Sequence, residues 1–136
     1  LAQGGEVDRE RLATTGHLIV VTPTWWGAMP ARVLAWIQGE LAPWIDGGPD
    51  GRADRARSPL RSVDRLTVVT SHGSSRLVNG LQGEPGRRLW RKSVLPLCAP
   101  SARFDWISLY KIDRSDEPGR QAFIDRVGRE IRAMAT

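Results

Sequence analysis

His17-Leu18-Ile19-Val20-Val21-Thr22-Pro23-Thr24-Trp25-Trp26-Gly27 is an apolar run that stops abruptly at a turn carrying two adjacent tryptophans. A short run rich in β-branched residues, without period-2 alternation, reads as a strand buried on both faces of a parallel α/β sheet. From Pro30 to Leu41 the apolar residues recur at helical spacing. The tryptophan pair therefore falls on a strand-to-helix turn, at the end of the sheet where open α/β folds bind ligands.

Arg65-Leu66-Thr67-Val68-Val69-Thr70 repeats the pattern and runs into Ser71-His72-Gly73-Ser74-Ser75, a turn of small residues. Two such strands give a cleft with two lips along one sheet edge. A third strand is expected at residues 104–110, where Phe104 to Tyr110 alternates and suits a sheet edge. Between them, Pro30 opens a helix that buries Val33, Leu34, Trp36, Ile37 and Leu41 and ends at Pro43. A second helical stretch from Glu84 carries Leu89, Trp90, Val94, Leu95, Leu97 and Cys98, with Pro96 disturbing its last turn. Ser115 is positioned to cap a final helix with Phe123, Val127, Ile131 and Met134 inward. Residues 46–62 are almost devoid of apolar side chains and read as a long surface loop, and Glu6 to Thr15 as the tail of a helix. Strand and helix alternate throughout, the order expected of one right-handed parallel α/β domain over residues 1–136.

Composition bounds the function. A chain of 136 residues buries roughly two-thirds of its unfolded surface, enough for a core without staples. Its one cysteine can form neither an internal disulfide nor a metal cluster, which suits a reducing compartment. With no apolar stretch long enough to span a membrane and no basic or apolar leader in Leu1–Gly5, a cytoplasmic chain without membrane insertion is expected. Nearly all of the basic residues behind the net charge of +5 are arginines; those of the last helix lie opposite its apolar stripe, those of the 46–62 loop are interleaved with aspartates, and no basic run exceeds a pair. That distribution reads as a solvated surface and not as a nucleic-acid footprint.

No motif for a metal, a catalytic serine or a phosphate loop is present. His17 stands at the far end of its strand and reads as structural, whereas His72 lies inside the second lip. Trp25 and Trp26 admit two readings: packing against a helix or a second subunit, or one wall of a slot for a flat ring. An isoalloxazine needs such a slot, with donors near N1 and O2 where negative charge collects on reduction, and two lips of this kind can supply it.

Pro23-Thr24-Trp25-Trp26-Gly27, followed by Met29-Pro30-Ala31 and a tryptophan-bearing helix, resembles the segment after the third strand of flavodoxin-like NAD(P)H:quinone oxidoreductases. Thr70-Ser71-His72-Gly73-Ser74 resembles the loop after their fourth strand, and Phe104 to Tyr110 falls at their fifth. The resemblance implies a flavodoxin-like three-layer sandwich that holds FMN or FAD. Such an enzyme takes hydride from NAD(P)H, passes it to a quinone-like acceptor by a ping-pong route, and works as a homodimer with its site near the interface. By position, Pro23, Thr24, Trp25, Trp26 and Gly27 would line the pyrimidine and N5 side, and Thr70, Ser71, His72 and Gly73 would face N1 and O2. His72 would stabilise the reduced anion. The same resemblance places the first strand, with its phosphate-binding loop, before Leu1, so the sheet is expected to be incomplete at the N-terminus, the chain being either a fragment or a shortened homologue, and flavin binding is expected to be weak.

Overall fold

The computed structural model describes residues 5–25, 27–45 and 55–134. Three parallel strands, β1 (His17–Pro23), β2 (Arg65–His72) and β3 (Arg103–Tyr110), form one sheet in the order β1-β2-β3. His17 pairs with Arg65 and Arg65 with Arg103, so the strands start level and their C-terminal ends line up along one edge. The strands expected at 17–23, 65–71 and 104–110 hold to within one residue, and β3 does lie at an edge. This is the α/β architecture that the alternation of strand and helix implies.

The two sheet faces are covered unequally. Leu66 and Val68 point into the main core, where they meet Leu12 of α1 (Gly5–Ala13), Ile37 and Leu41 beyond α2 (Ala31–Trp36), and Trp90, Val94 and Leu97 beyond α5 (Pro85–Leu89). The opposite face receives α6 (Glu117–Met134), whose Met134 sulfur accepts from the Thr67 hydroxyl at 3.7 Å and whose Phe123 stands by Val21 and Val69. The layer is thin: every residue of the stripe Phe123, Val127, Ile131 and Met134 is only half-buried.

β1 corrects the expectation of burial on both faces. It is an outer strand, and Val21 is 76% exposed because among the described residues α6 covers the face it shares with Ile19 only in part. Leu18 and Val20, on the other face, pack against the core as expected. β2, flanked on both sides, is the strand that matches the doubly buried reading.

Pro43 and Pro96 are both preceded by a π-helical turn, Ile37–Leu41 and Trp90–Val94, in which Ala42 N donates to Ile37 O and Leu95 N to Trp90 O. Proline's ring would collide with the carbonyl four residues back, and the wider turn relieves that contact. The helix that begins with α2 therefore continues past its expected stop through α3 (Ala42–Ile45), while Leu95–Leu97 tightens into a 3-10 turn. The cap of α6 is Asp116, whose carboxylate accepts from Gly119 N at 2.9 Å, whereas Ser115 turns its hydroxyl to Ile112 O. Of the expected 46–62 loop, residues 46–54 lie outside the described residues, and the rest is surface only in part: Arg55, Ala56, Arg57, Arg61 and Ser62 are exposed, whereas Ser58 and Leu60 are buried. Leu60 is fully buried, steered inward where its N–H bonds Ser58 Oγ at 3.1 Å. Among the described residues no helix is long and apolar enough to cross a membrane.

Candidate functional site

A cleft of about 650 Å³ opens at the C-terminal ends of β1 and β2. Its first lip is the turn after β1. Trp25 and Ala28 exchange both backbone hydrogen bonds, at 2.9 and 2.8 Å, and Gly27 takes φ +74°, which a residue with a Cβ adopts only with strain. The tight turn leaves the Trp25 side chain 60% exposed over the cleft. Thr24 ties the lip to β2 twice: its N–H donates to Ser71 O at 2.9 Å, and its hydroxyl meets that of Thr70 at 3.0 Å.

The second lip runs from Ser71 to Ser74 and continues into α4 (Arg76–Leu81), capped by Ser75 Oγ accepting from Val78 N. On the inner face of α4, buried Asn79 donates to Ser74 Oγ at 2.7 Å and Ser75 O at 2.9 Å, fixing the shape of the turn. The loop after β3 adds Ile112 and Asp113 as a third wall. Asp113 presses on the second lip, since a Cβ at Gly73 would stand 2.6 Å from its carboxylate oxygen.

His72, 5% exposed, lies where the two lips meet. Its ring stacks on Tyr110 of β3, with centroids 4.8 Å apart and planes 8° from parallel, and both ring nitrogens are buried without a hydrogen-bond partner. Burial pushes its pKa below the ordinary 6.5, against the smaller opposing pull of the Glu84 carboxylate and the Asn79 carboxamide. The imidazole is therefore neutral at pH 7, with one N–H and one lone pair unspent. Tyr110 in turn donates to Glu84 Oε1 at 3.3 Å.

Of the residues expected in the site, Pro23, Thr24, Trp25, Gly27, Ser71, His72 and Gly73 line this cleft together. Thr70 does not. It is buried behind the wall, as the brace to Thr24. Trp26 lies outside the described residues. His17, at the opposite end of the sheet, bonds Thr67 Oγ1 at 2.8 Å, the structural role expected of it. Missed were Ser74, Asn79, Gln82, Ile112 and Asp113. Asn79 could have been found from the Ser75 cap signal, which marks a short helix directly after the stretch read as a turn. Asp113 follows β3 as the other lips follow β1 and β2, and the rule that used two strand ends applied equally to the third.

No protein-family model matches the sequence, and no curated protein matches it. Solved structures do. Smu.1420 from Streptococcus mutans UA159 superposes with a TM-score of 0.66 at 20% identity, over 97% of this chain and 68% of that one. An NAD(P)H:quinone oxidoreductase from Methanothermobacter marburgensis gives 0.67 at 15%, over 100% and 65%. A thermophilic tryptophan halogenase from Streptomycin violaceusniger gives 0.60 at 15%, over 93% and 74%. The chain thus spans about two-thirds of the length of the first two. At these identities the likeness establishes a flavodoxin-like fold, and function rests on the cleft.

Proposed function

We propose that this chain carries the ring-binding part of a flavin-dependent NAD(P)H dehydrogenase that reduces quinones or similar two-electron acceptors. One observation carries the reading: a cleft at the C-terminal sheet edge in which an exposed tryptophan forms one lip and an unpartnered, neutral histidine lies buried where the lips meet. The residues fit an isoalloxazine. Trp25 offers a flat apolar surface, while the Ser71 and Ser74 hydroxyls and the nitrogens of His72 offer polar contacts on the other side. A buried polar group without a partner costs about 1–3 kcal/mol, and a ring edge in this cleft would remove that cost at His72.

FMN or FAD bound here would supply two-electron hydride chemistry between a nicotinamide and a quinone. The chain's own part is electrostatic. Negative charge on a ring held in the cleft would favour the protonated form of His72, which would draw that proton from solvent and return it to solvent when the charge leaves. Trp25 shields the slot from water, and Thr70 and Thr24 keep the lips in register.

A non-enzymatic docking role is the second reading, and one feature favours it. Leu77 and Leu81, on one face of α4, are 74% and 81% exposed beside the cleft, and Trp25 adds to the same rim. The same rim would serve a homodimer with its site near the interface. The two readings separate on one experiment: mix the protein with FMN or FAD, add NADH or NADPH and follow the visible flavin band, then add a benzoquinone. Bleaching followed by quinone-dependent recovery supports the dehydrogenase. Protein that takes up neither flavin overturns it in favour of docking.

A further inference from the structure

On the other side of Tyr110 a second cleft, of about 320 Å³, is built from residues far apart in the chain: Arg76 of α4, Arg87 of α5 and Arg126 of α6, around Ser108 and Tyr110 of β3, with Glu84 as its one acidic wall. Three guanidinium groups from three helices converge here. Glu84 holds Arg87 at 3.0 Å, and outside the cleft Glu130 holds Arg126 at 3.5 Å. Arg76 has no acidic partner among the described residues.

The positions are prepared as well as charged. Arg126 lies over the Phe123 ring, 5.1 Å from its centroid, and donates through Nη2 to Ser108 O at 3.3 Å, which anchors one end of its fork. Arg87 spends one donor on Glu84, and Tyr110 donates to that same carboxylate. Each guanidinium carries five N–H donors, so most of the donors around this cleft remain unspent. A carboxylate is satisfied by one such fork. Three forks approaching from different elements, with the Ser108 hydroxyl beside them, match a group with three terminal oxygens and up to two negative charges.

We propose that this cleft binds the phosphoryl group of a small phosphorylated ligand. It stands apart from the flavin reading, because it uses none of the residues that line the first cleft. Tyr110 nevertheless links the two, since it lines the second cleft and stacks on His72 of the first. The phosphate could therefore come from a nucleotide whose remainder extends toward the first cleft, or from free inorganic phosphate.

Calorimetric titration of the protein at low ionic strength tests this with three probes: inorganic phosphate, adenosine 2′-monophosphate and adenosine. Saturable one-to-one binding of a phosphate-bearing probe, with none for adenosine, is expected. Arg76→Ala should weaken it about tenfold, the loss of one charge-assisted hydrogen bond, and Arg76→Lys should restore part of it. Arg76 is exposed, so the variant should fold, as its circular dichroism will show. Arg129→Ala, which removes a charge from α6 outside the cleft, should change nothing. Adenosine 2′-monophosphate binding well above inorganic phosphate supports the nucleotide source, and equal affinities support free phosphate. No saturable binding by either phosphate probe, or an equal loss in Arg76→Ala and Arg129→Ala, overturns the proposal.

Discussion

Replacing His72 with phenylalanine should make this protein more stable and less able to do its work. The imidazole is 95% buried by its 5% exposure, stacked on Tyr110, and leaves two nitrogens unpartnered. Removing an unsatisfied buried polar group returns about 1–3 kcal/mol, since its desolvation is no longer uncompensated. Phenylalanine keeps the ring stack but is the larger ring, and overpacking takes back about 1 kcal/mol. The net gain is about 0–2 kcal/mol, or up to roughly 8 °C in Tm for a chain of this size. The pH dependence is a second readout. Because the folded pKa lies below the ordinary 6.5, the unfolded state binds the proton first. His72's contribution is therefore intact above pH 6.5 and is lost as pH falls below that value through the folded pKa; in His72→Phe that acid slope disappears. Urea melts at pH 7.5 and pH 5.5 measure both. A His72→Phe variant that is less stable than the parent at pH 7.5, or that keeps the parent's acid slope, refutes the view that this histidine is held at a cost to the fold.

Leu60→Ala should cost about 2–5 kcal/mol in a urea melt, the value for a core leucine, despite its place in a stretch that reads as loop; a loss below about 0.5 kcal/mol would return it to the surface. The Thr24 and Thr70 hydroxyls should couple by about 0.5–1.5 kcal/mol in a double-mutant cycle of valine replacements, and strict additivity would mean the lips are not braced there. Among the described residues neither arginine nor lysine lines the first cleft, so riboflavin and FMN should bind this chain within about threefold of each other by fluorescence quenching, and a preference for FMN beyond about tenfold would put a cation within reach of its phosphate. The Cys98 thiol is buried, and burial raises its pKa to about 11, so it should resist alkylation at pH 8 until the protein unfolds; labelling of the native protein at the unfolded rate would contradict that burial.

Much of the fold was legible because its signals are local. Strands such as Leu66 to Thr70, and turns such as Thr24 to Gly27 and Ser71 to Ser74, follow from β-branched runs and small residues whose conformational preferences act within a few positions. From strands and turns alone the two lips could be brought to one sheet edge, because parallel strands joined by helical crossovers put their C-terminal ends together. What depends on neighbours distant in sequence was decided only by the tertiary structure. Val21 and Val69 are both apolar strand residues, yet one is open and the other buried, because β2 has a strand on each side and β1 among the described residues has one. Leu60 is core because the helices leave a space that it fills, a fact no window around residue 60 contains. His72 became a candidate with physical content only when β3 brought Tyr110 against it and left its nitrogens unpartnered. Arg76, Arg87 and Arg126 form no run in the sequence and read there as dispersed surface charge. Their convergence is a property of packing, since the density of like charge at a point is set by which helices meet and not by spacing along the chain.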